Sequence, residues 1–128
     1  MDFPAELRYT KEHEWLRHDV ESNSAVIGIT SFAQGELGDV VFVELEPAGT
    51  AVDADAVFGT VEAVKTVSEL FSPVRGTVIE LNAELESSPE LVNEDPYGAG
   101  WMIRIELDDP GELDNLMSSE EYAAMVAE

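Results

Sequence analysis

Residues 58–82 read FGTVEAVKTVSELFSPVRGTVIELN. Ala56 to Val64 and Thr66 to Phe71 are apolar, β-branched runs on either side of Lys65. Ser72-Pro73 interrupts the pattern, and Thr77 to Leu81 resumes it. The spacing predicts two strands joined at Lys65, a break, and a third strand. Lysine is almost absent elsewhere, since Lys11 and Lys65 are the only two copies. A single amine at the junction of two strands asks what chemistry it serves.

Three chemistries can be weighed on the residues. A phosphate-binding loop needs glycines before a Gly-Lys-Ser/Thr step, and Val64-Lys65-Thr66 has none. A Schiff-base lysine needs burial or cationic neighbours to release its proton. Here Glu62 and Glu69 stand nearby and favour the charged form. An acylation site fits better. A modifying enzyme can embrace a hairpin tip without unfolding the domain, the turn fixes the amine in space, and the flexible stem carries an attached group clear of the surface.

Working outward, Glu14 to Arg17 and Ala25 to Ile29 predict strands around turn residues Glu21 to Ser24. Thr30 and Ser31 are helix N-caps for a short helix from Ser31 to Gly35. Val40 to Glu46 reads as a strand with Val41, Val43 and Leu45 on one face, and Pro47 to Thr50 as a turn. Trp101 to Leu107 alternates, with Arg104 and Glu106 facing out. Pro89, Pro96, Gly98 and Gly100 mark turns in the stretch before it. Trp15 and Trp101 are read as core anchors. Asp109-Pro110-Gly111-Glu112 and Ser118-Ser119-Glu120-Glu121 resemble capping boxes. Leu113, Leu116 and Met117, then Tyr122, Met125 and Val126, follow them at helical spacing. Gly38-Asp39-Val40-Val41 resembles Gly76-Thr77-Val78-Ile79, and Val52-Asp53-Ala54-Asp55 resembles Val92-Asn93-Glu94-Asp95. This faint repeat suggests two similar half-sheets folded face to face. The expected architecture is mainly β, one domain over residues 1–128, with a hairpin at about 56–72 and a helical segment at about 110–127.

Composition narrows the function. The chain has no cysteine, which excludes disulfides, thiolate metal sites and cysteine nucleophiles. Against 28 acids stand 6 bases, a net charge of −22. Phosphate backbones and anionic membranes would be repelled, so neither nucleic acid nor membrane is an expected partner. The acids are spread along the whole chain, which reads as a solvated, self-repelling surface; steering toward basic faces of partner proteins is the other reading. No metal site is expected, because His13 and His18 lack a third ligand at suitable spacing and Asp53-Ala54-Asp55 lacks a calcium loop's glycine and glutamate. Met1-Asp2-Phe3-Pro4 shows no basic region followed by an apolar stretch, so no secretory signal peptide is expected.

Several ordered blocks then resemble one family. Gly59-x-Val61-Glu62-Ala63-Val64-Lys65 with Ser72-Pro73-Val74-x-Gly76 looks like a lipoyl-attachment hairpin. Tyr9-Thr10-Lys11-Glu12-His13-Glu14-Trp15, Gly28-Ile29-Thr30-x-x-Ala33-Gln34, Leu37 to Val43, Ser88 to Asn93, and Asp95-Pro96-Tyr97-Gly98-x-Gly100-Trp101 follow the order seen in the H proteins of the glycine cleavage system. The resemblance spans roughly residues 7 to 126. Biotin carriers share the hairpin, but methionines usually flank their lysine, whereas Val64 and Thr66 flank Lys65 here. Lipoyl domains of 2-oxo acid dehydrogenases are typically shorter, tethered modules.

The resemblance implies a lipoyl/biotinyl-type barrel-sandwich hybrid of two antiparallel half-sheets with small N- and C-terminal helices. It implies a non-catalytic carrier with lipoate in amide linkage on Lys65. The implied partners are a pyridoxal-phosphate glycine decarboxylase, an aminomethyltransferase that uses tetrahydrofolate, an FAD-dependent dihydrolipoamide dehydrogenase, and a lipoate-attaching enzyme. Glu62, Val64, Thr66 and Gly76 become candidates for recognition by the attaching enzyme. For Glu62 the alternative is strand pairing or surface charge, and for Gly76 a backbone turn. The aminomethyl cargo carries a cationic amine, so a sheltered groove with an anion is expected. Glu14 and Glu12 are the candidates, with Glu14 favoured and His13 as a polar contact; the alternative is two solvated acids among many. A prokaryotic cytoplasm is the expected compartment, with the mitochondrial matrix after processing as the alternative. A lipoyl or biotinyl carrier outside glycine metabolism is the alternative function.

Overall fold

The computed structural model describes residues 3–127. Met1, Asp2 and Glu128, and so half of the N-terminal stretch read for a signal peptide, lie outside the described residues. In chain order the elements are β1 (Arg8–Tyr9), β2 (Glu14–Asp19), β3 (Ser24–Ile29), α1 (Ser31–Leu37), β4 (Val40–Leu45), β5 (Ala51–Val52), β6 (Val57–Ala63) and β7 (Val67–Phe71). Then come β8 (Gly76–Leu81), the one-turn helices α2 (Glu84–Ser87) and α3 (Leu91–Glu94), β9 (Ile103–Leu107), a 3-10 helix over Pro110–Asn115, and α4 (Ser119–Val126).

The strands form two antiparallel sheets, a mainly β, unclosed barrel-sandwich. One sheet runs β1-β2-β3-β9-β8-β5 and the other β4-β6-β7. The faint repeat has a structural counterpart, because Gly38 leads into β4, which pairs with β6, and Gly76 opens β8, which pairs with β9. The half-sheets are nonetheless unequal, six strands against three, because the N-terminal segment adds β1, β2 and β3 to one side only.

Both faces of the larger sheet are covered, which explains why every residue of β3 is buried. Ala25, Ile27 and Ile29 point toward the smaller sheet and pack with Leu16, Phe58, Val61, Leu70, Val78 and Ile105. Val26 points the other way, into a second cluster with Leu7, Tyr9, Trp15 and Tyr122. Trp15 lies opposite Gly28 across the β2–β3 pair, and a Cβ on Gly28 would come within 2.7 Å of the indole. The indole N–H donates to the Pro96 carbonyl at 2.9 Å. Trp101, read as a second core anchor, is only partly buried at the edge of this cluster.

The C-terminal helix closes the second cluster. Ser118 and Glu121 make a reciprocal capping box that starts α4. Tyr122 then stacks on Tyr9 with ring centroids 4.9 Å apart. Asp109 caps the preceding helix, as its sequence suggests, but that helix is 3-10 and stops before Leu116, whose backbone is extended. Tyr9 and Met117 exchange backbone hydrogen bonds of 2.9 Å, and this bridge breaks the helical run. On β4 a bulge between Val40 and Phe42 overturns the expected alternation. Val43 is buried, whereas Val41 is half exposed.

Candidate functional site

Two antiparallel runs, β6 and β7, make the hairpin, with Glu62 opposite Val67 as the last strand pair. The Ala63 amide donates to the Thr66 carbonyl at 2.8 Å, which leaves Val64 and Lys65 at the tip. Both are exposed, as is Thr66. The tip is tied down rather than free, because the Val64 amide donates to the Asp39 carbonyl at 3.0 Å. The lysine stem lies along Gly38, where an added Cβ would sit 3.0 Å from Lys65 Cε. Gly38 has φ of +79° and ends α1, a conformation that favours glycine.

Beneath the tip, one side chain joins three segments. Asn93 on α3 accepts the Val40 amide at 2.8 Å through Oδ1. Its amide group donates to Gln34 Oε1 at 2.8 Å and to the Gly38 carbonyl at 2.7 Å. The end of α1, the start of β4 and α3 are thus fixed together as the platform on which the lysine rests. Asn93 belongs to a block that carried the family resemblance, but nothing in its spacing marks it as a clamp, because its partners are distant in sequence.

Beside the hairpin lies a groove of about 120 Å³ between the start of β2, α1 and β7. Ile29, Leu37, Val61 and Leu70 make its apolar floor, and Glu12, Glu14, Glu36 and Glu69 bring four carboxyl groups to it, with no lysine or arginine in its lining. Glu12, Glu36 and Glu69 are exposed. Glu14 is not a solvated acid: it is 1% exposed. Its carboxyl accepts from the Thr10 hydroxyl at 2.8 Å and from the Phe71 amide at 3.2 Å, bridging the two sheets at the hairpin's base. Burial outweighs those two hydrogen bonds and pushes its pKa up to about 8. At neutral pH the group is therefore largely uncharged, which corrects the simple expectation of a standing anion at this position.

His13 occupies the same groove with left-handed backbone, φ 71°. Its Nδ1 lies 2.7 Å from the Tyr122 hydroxyl, which also bonds the Thr30 hydroxyl at 2.7 Å. Burial holds the imidazole pKa below its ordinary value and raises that of Tyr122 to about 12, so a neutral ring meets a neutral phenol. Thr10 and Tyr122 were not singled out as site residues. The position of Thr10, four residues before Glu14, offers a weak signal; Tyr122 gives none, since the helix brings it from more than a hundred residues away.

The remaining candidates separate. Glu62 is exposed on β6, next to the tip. Gly76 is buried at the start of β8, and a Cβ there would overlap the Glu106 carbonyl oxygen and crowd Ile105. That close backbone approach accounts for glycine here without any contact to another protein.

A profile of the family described as "Glycine cleavage H-protein" matches residues 7–128. The glycine cleavage system H protein of Salinibacter ruber is 63% identical over 123 residues, covering 96% of this chain and 98% of its own. That of Brevibacillus brevis is 60% identical over 128 residues, the whole of both chains. The crystal structure of a glycine cleavage system H protein from Mycobacterium marinum superposes with a TM-score of 0.89 at 36% identity, covering 98% of this chain and all of the other.

Proposed function

This chain belongs to the glycine cleavage H-protein family and serves glycine cleavage as a carrier, and from that premise we propose that Lys65 is the residue that bears its lipoate. The carrying observation is the exposed amine at a two-residue hairpin tip, with its stem laid over Gly38. The residues present fit such a group. The tip is reachable from solvent, no side chain at Gly38 obstructs the stem, and an acid-lined groove opens beside β7.

Attachment requires the Lys65 amine, after losing a proton, to attack an activated acyl carbon. The amide C–N bond forms, the leaving group departs with its bonding pair, and the remaining extra proton goes to solvent. When bound, lipoate supplies a disulfide/dithiol that accepts the aminomethyl group and is later reoxidised. This chain's own residues bind and shelter. Asn93 holds the platform, the groove excludes water from one side of a docked arm, and Glu14 meets the cationic amine. Arrival of a cation lowers the Glu14 pKa from its raised value, so docking turns the neutral acid into a paired carboxylate.

The partners within this reading are glycine decarboxylase, the aminomethyltransferase and dihydrolipoamide dehydrogenase, with a separate lipoate-attaching enzyme that reads Glu62, Val64 and Thr66 around the lysine. Catalysis belongs to those enzymes, and tethering gives the cargo a high effective concentration at each of them. No helix among the described residues is long and apolar enough to cross a membrane, and the bacterial relatives favour a cytoplasmic site of action.

Peptide mass spectrometry of protein made in a lipoylating host tests the assignment, with Lys65→Arg as its partner experiment. The expected result is lipoate on Lys65, and for the variant an intact fold with no glycine cleavage in a reconstituted system. Lipoate on Lys11, biotin on Lys65, or an active variant overturns it.

A further inference from the structure

We propose that Thr10 is the proton exit of Glu14: its hydroxyl passes the carboxyl proton to solvent in a second cleft while the cargo groove is filled. The use of this route in docking rests on the assignment of Lys65, but the route itself does not. The cleft, of about 460 Å³, lies between residues 9–12, the end of β7 and residues 115–117. It shares a single residue, Glu12, with the groove. Glu14 lines the groove and not the cleft. Yet both groups that bond its carboxyl, the Thr10 hydroxyl and the Phe71 amide, belong to residues that line the cleft and not the groove. A buried acid set between two openings, with both polar partners at the second, has a hydrogen-bonded way out that avoids the first.

Hydrogen bonding places the proton on one oxygen. The Phe71 amide donates to Oε2 at 3.2 Å, and the better acceptor is the oxygen without a proton, so the neutral acid carries its hydrogen on Oε1. Oε1 lies 2.8 Å from Thr10 Oγ1. Oγ1 also accepts from the Glu14 amide at 3.1 Å, which leaves it a second lone pair and a hydrogen free to rotate. In the neutral acid the Oε1–H donates to Oγ1, and the threonine hydrogen turns to the cleft. In the transfer the Oε1–H bond breaks as a new Oγ1–H bond forms, and the old Oγ1–H bond breaks as its proton goes to water. No electrons are gained or lost, and the carboxylate that remains accepts from Thr10 and Phe71. Other titratable groups about Glu14 do not supply this exit. His13, Glu36 and Glu69 line the groove alone and are covered when it fills, and His13 is bonded to Tyr122 instead. The charges of Glu12 and Asp55 resist the forming carboxylate, and Lys11 in the cleft lining offsets them.

The test uses the full-length protein without lipoate, labelled with carbon-13 at its glutamate carboxyls, so it reads the route whether or not Lys65 is the attachment site. The Glu14 resonance, assigned by its loss in Glu14→Gln, is followed through its titration, and proton exchange is compared at each protein's own midpoint. Wild type and Thr10→Ser should give one averaged line that moves with pH. Thr10→Val has the same shape without the hydroxyl; it should slow exchange by about a hundredfold, the order a positioned proton donor contributes, and split the line in two. Asn115→Trp fills the cleft from its exposed rim without replacing any partner of Glu14. It should slow exchange as well, and it reads the route even where Thr10→Val does not fold. A shifted midpoint with unchanged exchange in Thr10→Val makes Thr10 a hydrogen-bond partner only and overturns the relay. Slow exchange in Thr10→Ser shows an effect of packing rather than of the hydroxyl and overturns it too. Wild-type exchange in Asn115→Trp puts the exit outside the cleft and overturns the route. Failure of Lys65 to acquire lipoate overturns the earlier assignment instead and leaves the proton route standing.

Discussion

Replacing Glu14 by glutamine should abolish one pH-dependent part of the protein's stability and so reverse which of the two proteins is the more stable between acid and alkaline pH. The carboxyl is buried and its pKa rises from an ordinary 4.5 to about 8. A raised folded-state value means that the neutral acid is compatible with the fold and the anion is not. The contribution is therefore fully present below about pH 4.5 and is lost as pH climbs toward 8, above which the penalty is constant. At roughly 1.4 kcal/mol per pH unit, that interval sets a ceiling of about 5 kcal/mol. Glutamine carries no such term. It keeps one acceptor for Thr10 or Phe71 and turns an N–H toward the other, at a cost of about 1–2 kcal/mol. Wild type should thus be the more stable at about pH 5 and the variant the more stable at about pH 9. Urea unfolding followed by tryptophan fluorescence, at constant high ionic strength to suppress the acidic background, measures both. If the two stabilities run parallel across that range, Glu14 does not titrate as a buried acid and the groove's proton-linked docking goes with it.

Gly76→Ala should destabilise the fold by more than about 2 kcal/mol, because the new methyl meets backbone rather than a yielding side chain; an unchanged urea midpoint with poor lipoylation would instead make Gly76 a recognition residue. Asn93→Ala removes three hydrogen bonds under the tip and should cost about 2–3 kcal/mol, with faster hydrogen exchange at the Val40 amide than elsewhere in β4. Thermal stability should rise as salt is raised to about 1 M, because screening relaxes repulsion among the acids; a flat melting temperature would show that the −22 charge is already accommodated.

The strands around Lys65 were legible because local pattern and burial agree there. Apolar residues alternate along β6, and Val64-Lys65 has no side chain that needs the core. The capping box at Ser118 and the N-cap at Thr30 were legible for the same reason, since each is satisfied within one helical turn. Val41 departs from the expected face because its exposure depends on where a bulge falls, which hydrophobicity does not encode, and Trp101 packs against the second cluster while remaining only partly buried.

By itself the sequence determined the β-rich class, the tip lysine and the acidic surface, all properties of neighbouring residues and of summed charge. Only the tertiary structure decided that Glu14 is a buried, largely neutral acid, that Asn93 clamps the platform, and that Gly76 is demanded by a carbonyl. Each of those depends on groups far apart in the chain meeting at a few ångströms, where desolvation and close contact set the energy.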